Sequence, residues 1–91
     1  MTSCEVAIVN PLGLHARAAA RFVHTAGAYR ARIRVAQGGR EMDGKSIMGL
    51  LLLAAGQGTV IRVTASGADE EAAVAALRAL VERGFDEVPC A

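Results

Sequence analysis

A histidine followed two places later by an arginine, where a strand gives way to a helix, is the pair in this chain best suited to chemistry. The residues are His15 and Arg17, inside the stretch Asn10 to Arg21, NPLGLHARAAAR. Pro11 and Gly13 are turn residues and separate the two elements. A helix start exposes backbone N–H groups with no partner inside the helix, and it carries partial positive charge. A neutral imidazole keeps one lone-pair nitrogen, and that nitrogen can attack phosphorus. Placed beside a guanidinium and the free amides of Ala16 and Arg17, it can take up a phosphoryl group and release it again.

The elements that must position this pair follow from periodicity. Residues 4–9 alternate, with Cys4, Val6 and Ile8 on one face and Glu5 and Ala7 on the other, which reads as a half-buried strand. Residues 16–26 read as a helix with a core face of Ala19, Phe22, Val23 and Ala26, capped by Gly27. Its neighbouring face carries Arg17, Arg21 and His24, a basic ridge continuous with His15 and suited to an acidic partner. Residues 31–37 form a second strand with Ile33 and Val35 inward, and Gly38-Gly39 turns it into a short return strand, 40–43. Ser46 is a favourable N-cap for a short apolar helix, 47–53, ended by Gly56 and Gly58. Ile47, Met48, Leu51 and Leu52 cannot all face one core, so some of them must be exposed. Residues 59–65 alternate again, with Ile61, Val63 and Ala65 inward. Asp69 reads as the N-cap of a last helix whose apolar face is Val74, Leu77, Leu80 and Val81. Gly84 caps its far end, and Phe85 is expected to fold back over it.

The order β-α-β-β-α-β-α, with cleanly alternating strands, implies an α+β open-faced two-layer sandwich. Four antiparallel strands form the sheet, and three helices cover one face. Glu5, Arg32, Arg34 and Arg62 populate the wet face. The 91 residues suffice for one small domain, 1–91.

Two motifs carry a family resemblance over about residues 3 to 87. Gly13-Leu14-His15-Ala16-Arg17 resembles the active-site signature of the HPr family, the histidine phosphocarriers of the bacterial phosphoenolpyruvate-dependent phosphotransferase system. Gly44-Lys45-Ser46-Ile47-Met48-Gly49-Leu50 resembles that family's regulatory serine region. The resemblance implies His15 as phosphoryl acceptor through Nδ1, with Arg17 and the Ala16 amide as stabilisers. It implies Ser46 as a site for an HPr serine kinase/phosphorylase. The expected docking surface is Ala20, Arg21 and His24 together with Ile47, Met48 and Leu51. Enzyme I is the implied donor, and EIIA-type proteins are the implied acceptors. The resemblance also implies that the first and fourth strands pair at the sheet centre. Many relatives have proline where this chain has Ala18, and alanine is equally acceptable in a first turn. The stretch LLLLAAGQGTVIRVTASGADEE, residues 50–71, resembles the nitrogen-related branch of the family as much as the sugar branch. A regulatory binding protein acting only through Ser46 is disfavoured because His15 is present.

Composition narrows the alternatives. Ten basic and nine acidic residues give a net charge of +1, which disfavours a general binder of nucleic acid or membrane surfaces. An RNA-binding sheet of the same element order stacks bases on aromatics, but this chain has one tyrosine, two phenylalanines and no tryptophan. The apolar run from Gly49 to Gly56 is too short to span a bilayer, and the first residues do not read as a signal peptide. A cytoplasmic monomer is the expectation. No Walker motif or metal-ligand spacing is present, so neither a nucleotide nor a metal cofactor is expected. Cys4 is expected to pack as a small strand residue and Cys90 to fray, with a disulfide between them disfavoured.

Overall fold

The computed structural model describes residues 1–86. Its elements are β1 (Thr2–Ala7), α1 (Ala16–Gly27), β2 (Arg32–Gln37), β3 (Arg40–Asp43), α2 (Ile47–Leu52), β4 (Val60–Ser66) and α3 (Glu70–Glu82). The strands form one antiparallel sheet in the order β1-β4-β2-β3. Alternation decides which face is covered. Val6, Ile33, Val35, Ile61, Val63 and Ala65 point inward and are buried, while Glu5, Arg32 and Arg62 point outward and are exposed. The architecture is the open-faced sandwich expected from the sequence.

One topological expectation is corrected. β1 does pair with β4, with Thr2 opposite Ala65 and Ala7 opposite Val60, but β1 is an edge strand. The central pair is β4 and β2. β4 is the longer strand, and its alternation serves two partners at once. Local periodicity carries no information about that ordering.

The helices close the core. α3 packs on β1 and β4, α2 reaches β3, and α1 packs against both other helices. Phe22, Leu50, Leu77 and Phe85 are buried among the inward strand residues. The buried stripe of α1 is Ala18, Ala19, Phe22 and Ala26, and Val23 is only partly buried at its margin. With two neighbouring helices to meet, the contact falls on the alanines, whose small side chains permit close approach. Gly27 is the last helical residue, and Ala28 takes the cap position. α2 ends at Leu52, and the reversal is made by Ala54, at φ +50°, ahead of either glycine.

Asp69 does not cap α3 with its side chain. Its carboxylate instead accepts from the amides of Arg30 and Ala31, at 2.8 and 2.9 Å, and ties the α3 start to the loop before β2. Those bonds, that of Arg30 foremost, hold the Asp69 carboxyl below the usual range. At the other end the expectation holds. Arg83 is the C-cap, Gly84 has φ +70°, the Gly84 amide donates to Val81 O and the Phe85 amide to Leu80 O. That pair of bonds is a Schellman motif, and it folds Phe85 into the core. Cys4 is partly buried, and that burial pushes its thiol pKa up. Cys90 lies outside the described residues. Among the described residues, no helix is long and apolar enough to cross a membrane.

Candidate functional site

The loop before α1 is a clamp. Asn10 O accepts from the Gly13 amide at 3.1 Å, closing a turn around Pro11 and Leu12. The Asn10 side-chain amide, itself buried, donates to Gly13 O at 2.8 Å. Gly13 stands at φ +66°, and its backbone presses on the Ala55–Gly56 backbone. The Leu14 amide then donates to Ala55 O at 2.8 Å, with the Leu14 side chain buried. Two turns are thereby stitched together, and the next residue is His15.

His15 is the N-cap of α1, with extended backbone at φ −79° and ψ 179°. Its carbonyl accepts from the Ala19 amide at 2.8 Å, and its Nδ1 accepts from the Arg17 amide at 3.3 Å. The imidazole therefore does the work that serine or aspartate does at most helix starts. An Nδ1 that accepts a hydrogen bond is unprotonated, so the ring proton is assigned to Nε2. This refines the expected arrangement. In the resting state the Arg17 amide is engaged by the ring itself. The Arg17 side chain is exposed, and no hydrogen bond or ion pair among the described residues involves its guanidinium.

The basic ridge is divided in its employment. Ala20 and His24 are exposed on α1. Arg21 is only partly exposed, and its Nη1 donates to Phe85 O, so it struts α1 against the end of α3. A shallow groove of about 520 Å³ runs beside it, lined by Arg17, Ala20, Arg21, His24 and Thr25 with Leu80, Arg83 and Asp86. Arg83 and Asp86 pair side by side there, at 2.8 and 3.3 Å. Arg83 holds the Asp86 carboxyl low, and Asp86 holds the guanidinium firmly protonated.

On α2, Ser46 is the N-cap, and its Oγ accepts from the Gly49 amide at 3.1 Å. Ile47, Met48 and Leu52 are the exposed apolar residues, and Leu51 is partly buried against the core. The structure therefore puts Leu52, in place of Leu51, with Ile47 and Met48 on the outer face. In a six-residue helix a shift of one residue is 100°, so sequence spacing could not decide between them. A second residue passed over is Leu12, 67% exposed in the loop that presents His15. Its signal was a large apolar residue in a turn. Among the described residues, no group of three or more His, Cys, Asp or Glu is placed to hold a metal ion.

Comparison with known proteins agrees with this geometry. Residues 2–83 match the family model described as the PTS HPr component phosphorylation site. The chain is 48% identical over 87 residues to the phosphocarrier protein HPr of Xylella fastidiosa strain Temecula1, covering 96% of this chain and 98% of that one. It is 42% identical over 83 residues to the phosphocarrier protein NPr of Shewanella violacea, covering 91% of each. A crystal structure of HPr-C-His from Thermoanaerobacter tengcongensis superposes with a TM-score of 0.93 at 42% identity, covering 98% of this chain and all of that one. With the signature sequence, the four-stranded fold and the histidine-capped helix in agreement, the chain belongs to the HPr family, the phosphocarrier proteins of the phosphotransferase system.

Proposed function

We propose that His15 Nδ1 is the atom that carries the phosphoryl group. The observation behind this is the Nδ1 lone pair held at the open start of α1, 3.3 Å from the Arg17 amide. In the forward step the Nδ1 lone pair forms an N–P bond as the N–P bond to a donor phosphohistidine breaks. The departing imidazole keeps the bonding pair, and the His15 proton stays on Nε2. The Arg17 amide, displaced from the ring, then donates to a phosphoryl oxygen, with the Ala16 amide and the Arg17 guanidinium beside it. Onward transfer reverses the step against an acceptor histidine. A carrier must not bind its cargo too tightly, and an exposed site with one flexible cation suits that need.

The donor on this reading is phospho-Enzyme I and the acceptor an EIIA-type protein, met in the cytoplasm by a single 1–91 domain acting as a monomer. Ala20, His24, Ile47, Met48 and Leu52 are the docking residues, with Arg21 contributing chiefly as the strut already described. Ser46 is the regulatory site: a phosphate there would sit compatibly at a helix start while adding negative charge beside the docking face. The likeness to the Shewanella violacea NPr supports a second reading, a nitrogen-related phosphocarrier with the same chemistry and a different Enzyme I.

Incubation with phosphoenolpyruvate and purified Enzyme I, followed by mapping of the acid-labile phosphate, tests the core of this. Label on His15 Nδ1, abolished in His15→Ala, is expected. A fully competent His15→Ala protein would refute it. Trials with sugar-branch and nitrogen-branch Enzyme I separate the two readings by their relative rates.

A further inference from the structure

Among the described residues, Asn10 is the one buried polar side chain, only 3% exposed. It continues the inward series Val6, Ile8, Asn10, where the alternation of β1 calls for an apolar residue. Gly84, beyond the end of α3, walls it in: a Cβ on Gly84 would stand 3.5 Å from the Asn10 Cβ. Burying an amide is unfavourable unless its hydrogen bonds are made, so the core alone does not account for this residue. Turn preference accounts for part of it. Asn is favoured at the first position of such a turn, where its side-chain oxygen accepts from a backbone amide two residues on. The bond seen here has another sense: Nδ2 donates, at 2.8 Å, to the carbonyl of Gly13.

That carbonyl belongs to the peptide unit joining Gly13 to Leu14, and the N–H of the same unit donates to Ala55 O at 2.8 Å. A peptide unit is planar, so bonds at both its oxygen and its nitrogen fix its rotation about the line between its two Cα atoms. Gly13 has no Cβ to limit that rotation by contact, and the Ala55 bond alone would act as a pivot. The following peptide unit leads into His15, and the Leu14 side chain between the two is buried. The seat of the ring, with Nδ1 3.3 Å from the Arg17 amide, is therefore set through this plane. From this arrangement we infer that Asn10 is a positioning residue for phosphoryl transfer: its side chain locks the Gly13–Leu14 peptide and so holds the His15 imidazole in the orientation that presents Nδ1.

The inference rests on His15 being the transfer site, and it adds a residue outside the His15–Arg17 pair. It makes the orientation of the ring depend on a hydrogen bond and not on how well position 10 is filled. Leucine separates the two, because it has nearly the shape of asparagine and no donor.

The test compares Asn10→Leu and Asn10→Ala with Gly38→Ala, a change in the β2–β3 turn. Trimethylamine N-oxide is added to any variant whose melting overlaps the assay temperature, so that every reading is taken on folded protein. The readouts are the nitrogen resonances of the unphosphorylated His15 ring, the Arg17 amide proton, and single-turnover acceptance from phospho-Enzyme I. In both Asn10 variants the ring proton, held on Nε2 in the unsubstituted protein, should spread over both nitrogens, and the Arg17 amide proton should move upfield. The saturating rate should fall about 10–100-fold, with KM within about twofold. Gly38→Ala should leave all three as they are. Unchanged ring and Arg17 resonances in Asn10→Leu overturn the Asn10 role, and so does a raised KM at an unaltered saturating rate. Absence of label on His15 in the unsubstituted protein overturns the transfer reading, while the ring resonances still decide whether Asn10 sets the imidazole.

Discussion

Replacing Gly13 with alanine should damage this protein more than the same change at any hairpin glycine. Gly13 stands at φ +66°, where an L-residue costs about 1–2 kcal/mol. A Cβ there would also lie 2.6 Å from Ala55 O and 2.8 Å from Gly56 Cα, both backbone atoms, where ordinary contact begins near 3.4 Å. One of the two loops must retreat. The Leu14 amide bonds that same Ala55 carbonyl at 2.8 Å, and weakening this bond costs about 0.5–1.5 kcal/mol more. The sum is about 1.5–3.5 kcal/mol, or a melting temperature lower by about 6–28 °C for a chain of this size. Gly38→Ala is the control. Its φ is +56°, but nothing lies within 4 Å of the added carbon, so only the conformational cost of about 1–2 kcal/mol applies. Urea denaturation of both variants gives the difference directly. Phosphoryl acceptance should also slow in Gly13→Ala, because His15 leaves the clamp two residues later, and remain unchanged in Gly38→Ala. Equal stability losses in the two variants would refute the view that close approach of the loops sets the site.

Two further outcomes follow from the caps and the ion pairs. Ser46→Ala should lower stability by about 1 kcal/mol through loss of the bond to the Gly49 amide, whereas Ser46→Asp should keep the cap and weaken partner docking; denaturation and transfer KM separate the two effects. The Met1 ammonium at 2.7 Å, then the Thr2 hydroxyl and the Gly67 amide, hold the Glu70 carboxyl down at about 2. A folded pKa below the unfolded one contributes stability that is present above pH 4.5 and lost as pH falls from there toward 2. Asp69, through the Arg30 amide, and Asp86, through Arg83, act in the same direction. Melting temperature should therefore drop across that window, with a shallower slope in Glu70→Gln; parallel curves would count against the Glu70 clamp.

The legible parts of this fold were those written in local pattern. Alternation placed Ile33, Val35, Ile61 and Val63 inward, and Gly84 announced the turn that buries Phe85. The misread parts depend on distant partners. Asp69 does stand at the N-cap position of α3, as local sequence indicates, but its carboxylate bonds two amides 38 and 39 residues away instead of the helix start. The place of β1 at the sheet edge is a pairing decision that no strand encodes alone. Arg21 reads locally as part of a docking ridge for an acidic partner, and no local signal marks its bond to Phe85 O because that acceptor lies 64 residues on. The place of His15 at the start of α1 was legible because the turn residues Pro11 and Gly13 and the alanine-rich run after it are local signals. The engagement of Nδ1 by the Arg17 amide was not, because it depends on the rotamer of the ring.

If His15 is the phosphoryl acceptor proposed above, that engagement bears on how the site would both take and give. A strong nucleophile and a strong phosphate receptor in one place would trap the group, since whatever stabilises the product more than the free carrier raises the barrier to release. Here the Arg17 amide has an acceptor in the resting state, Nδ1 at 3.3 Å, and a phosphoryl oxygen would take over that role after transfer. One donor is exchanged between two acceptors, so its net contribution to holding the phosphoryl group is the difference between two hydrogen bonds. The charged contribution would come from the exposed Arg17 guanidinium, which is screened by water. Directional affinity would then be left to the contacts that only a docked partner makes, on the exposed faces of α1 and α2. On the proposed reading, a carrier arranged in this way would keep the free energy of its phosphohistidine near that of its donor, and the group could continue to the next histidine.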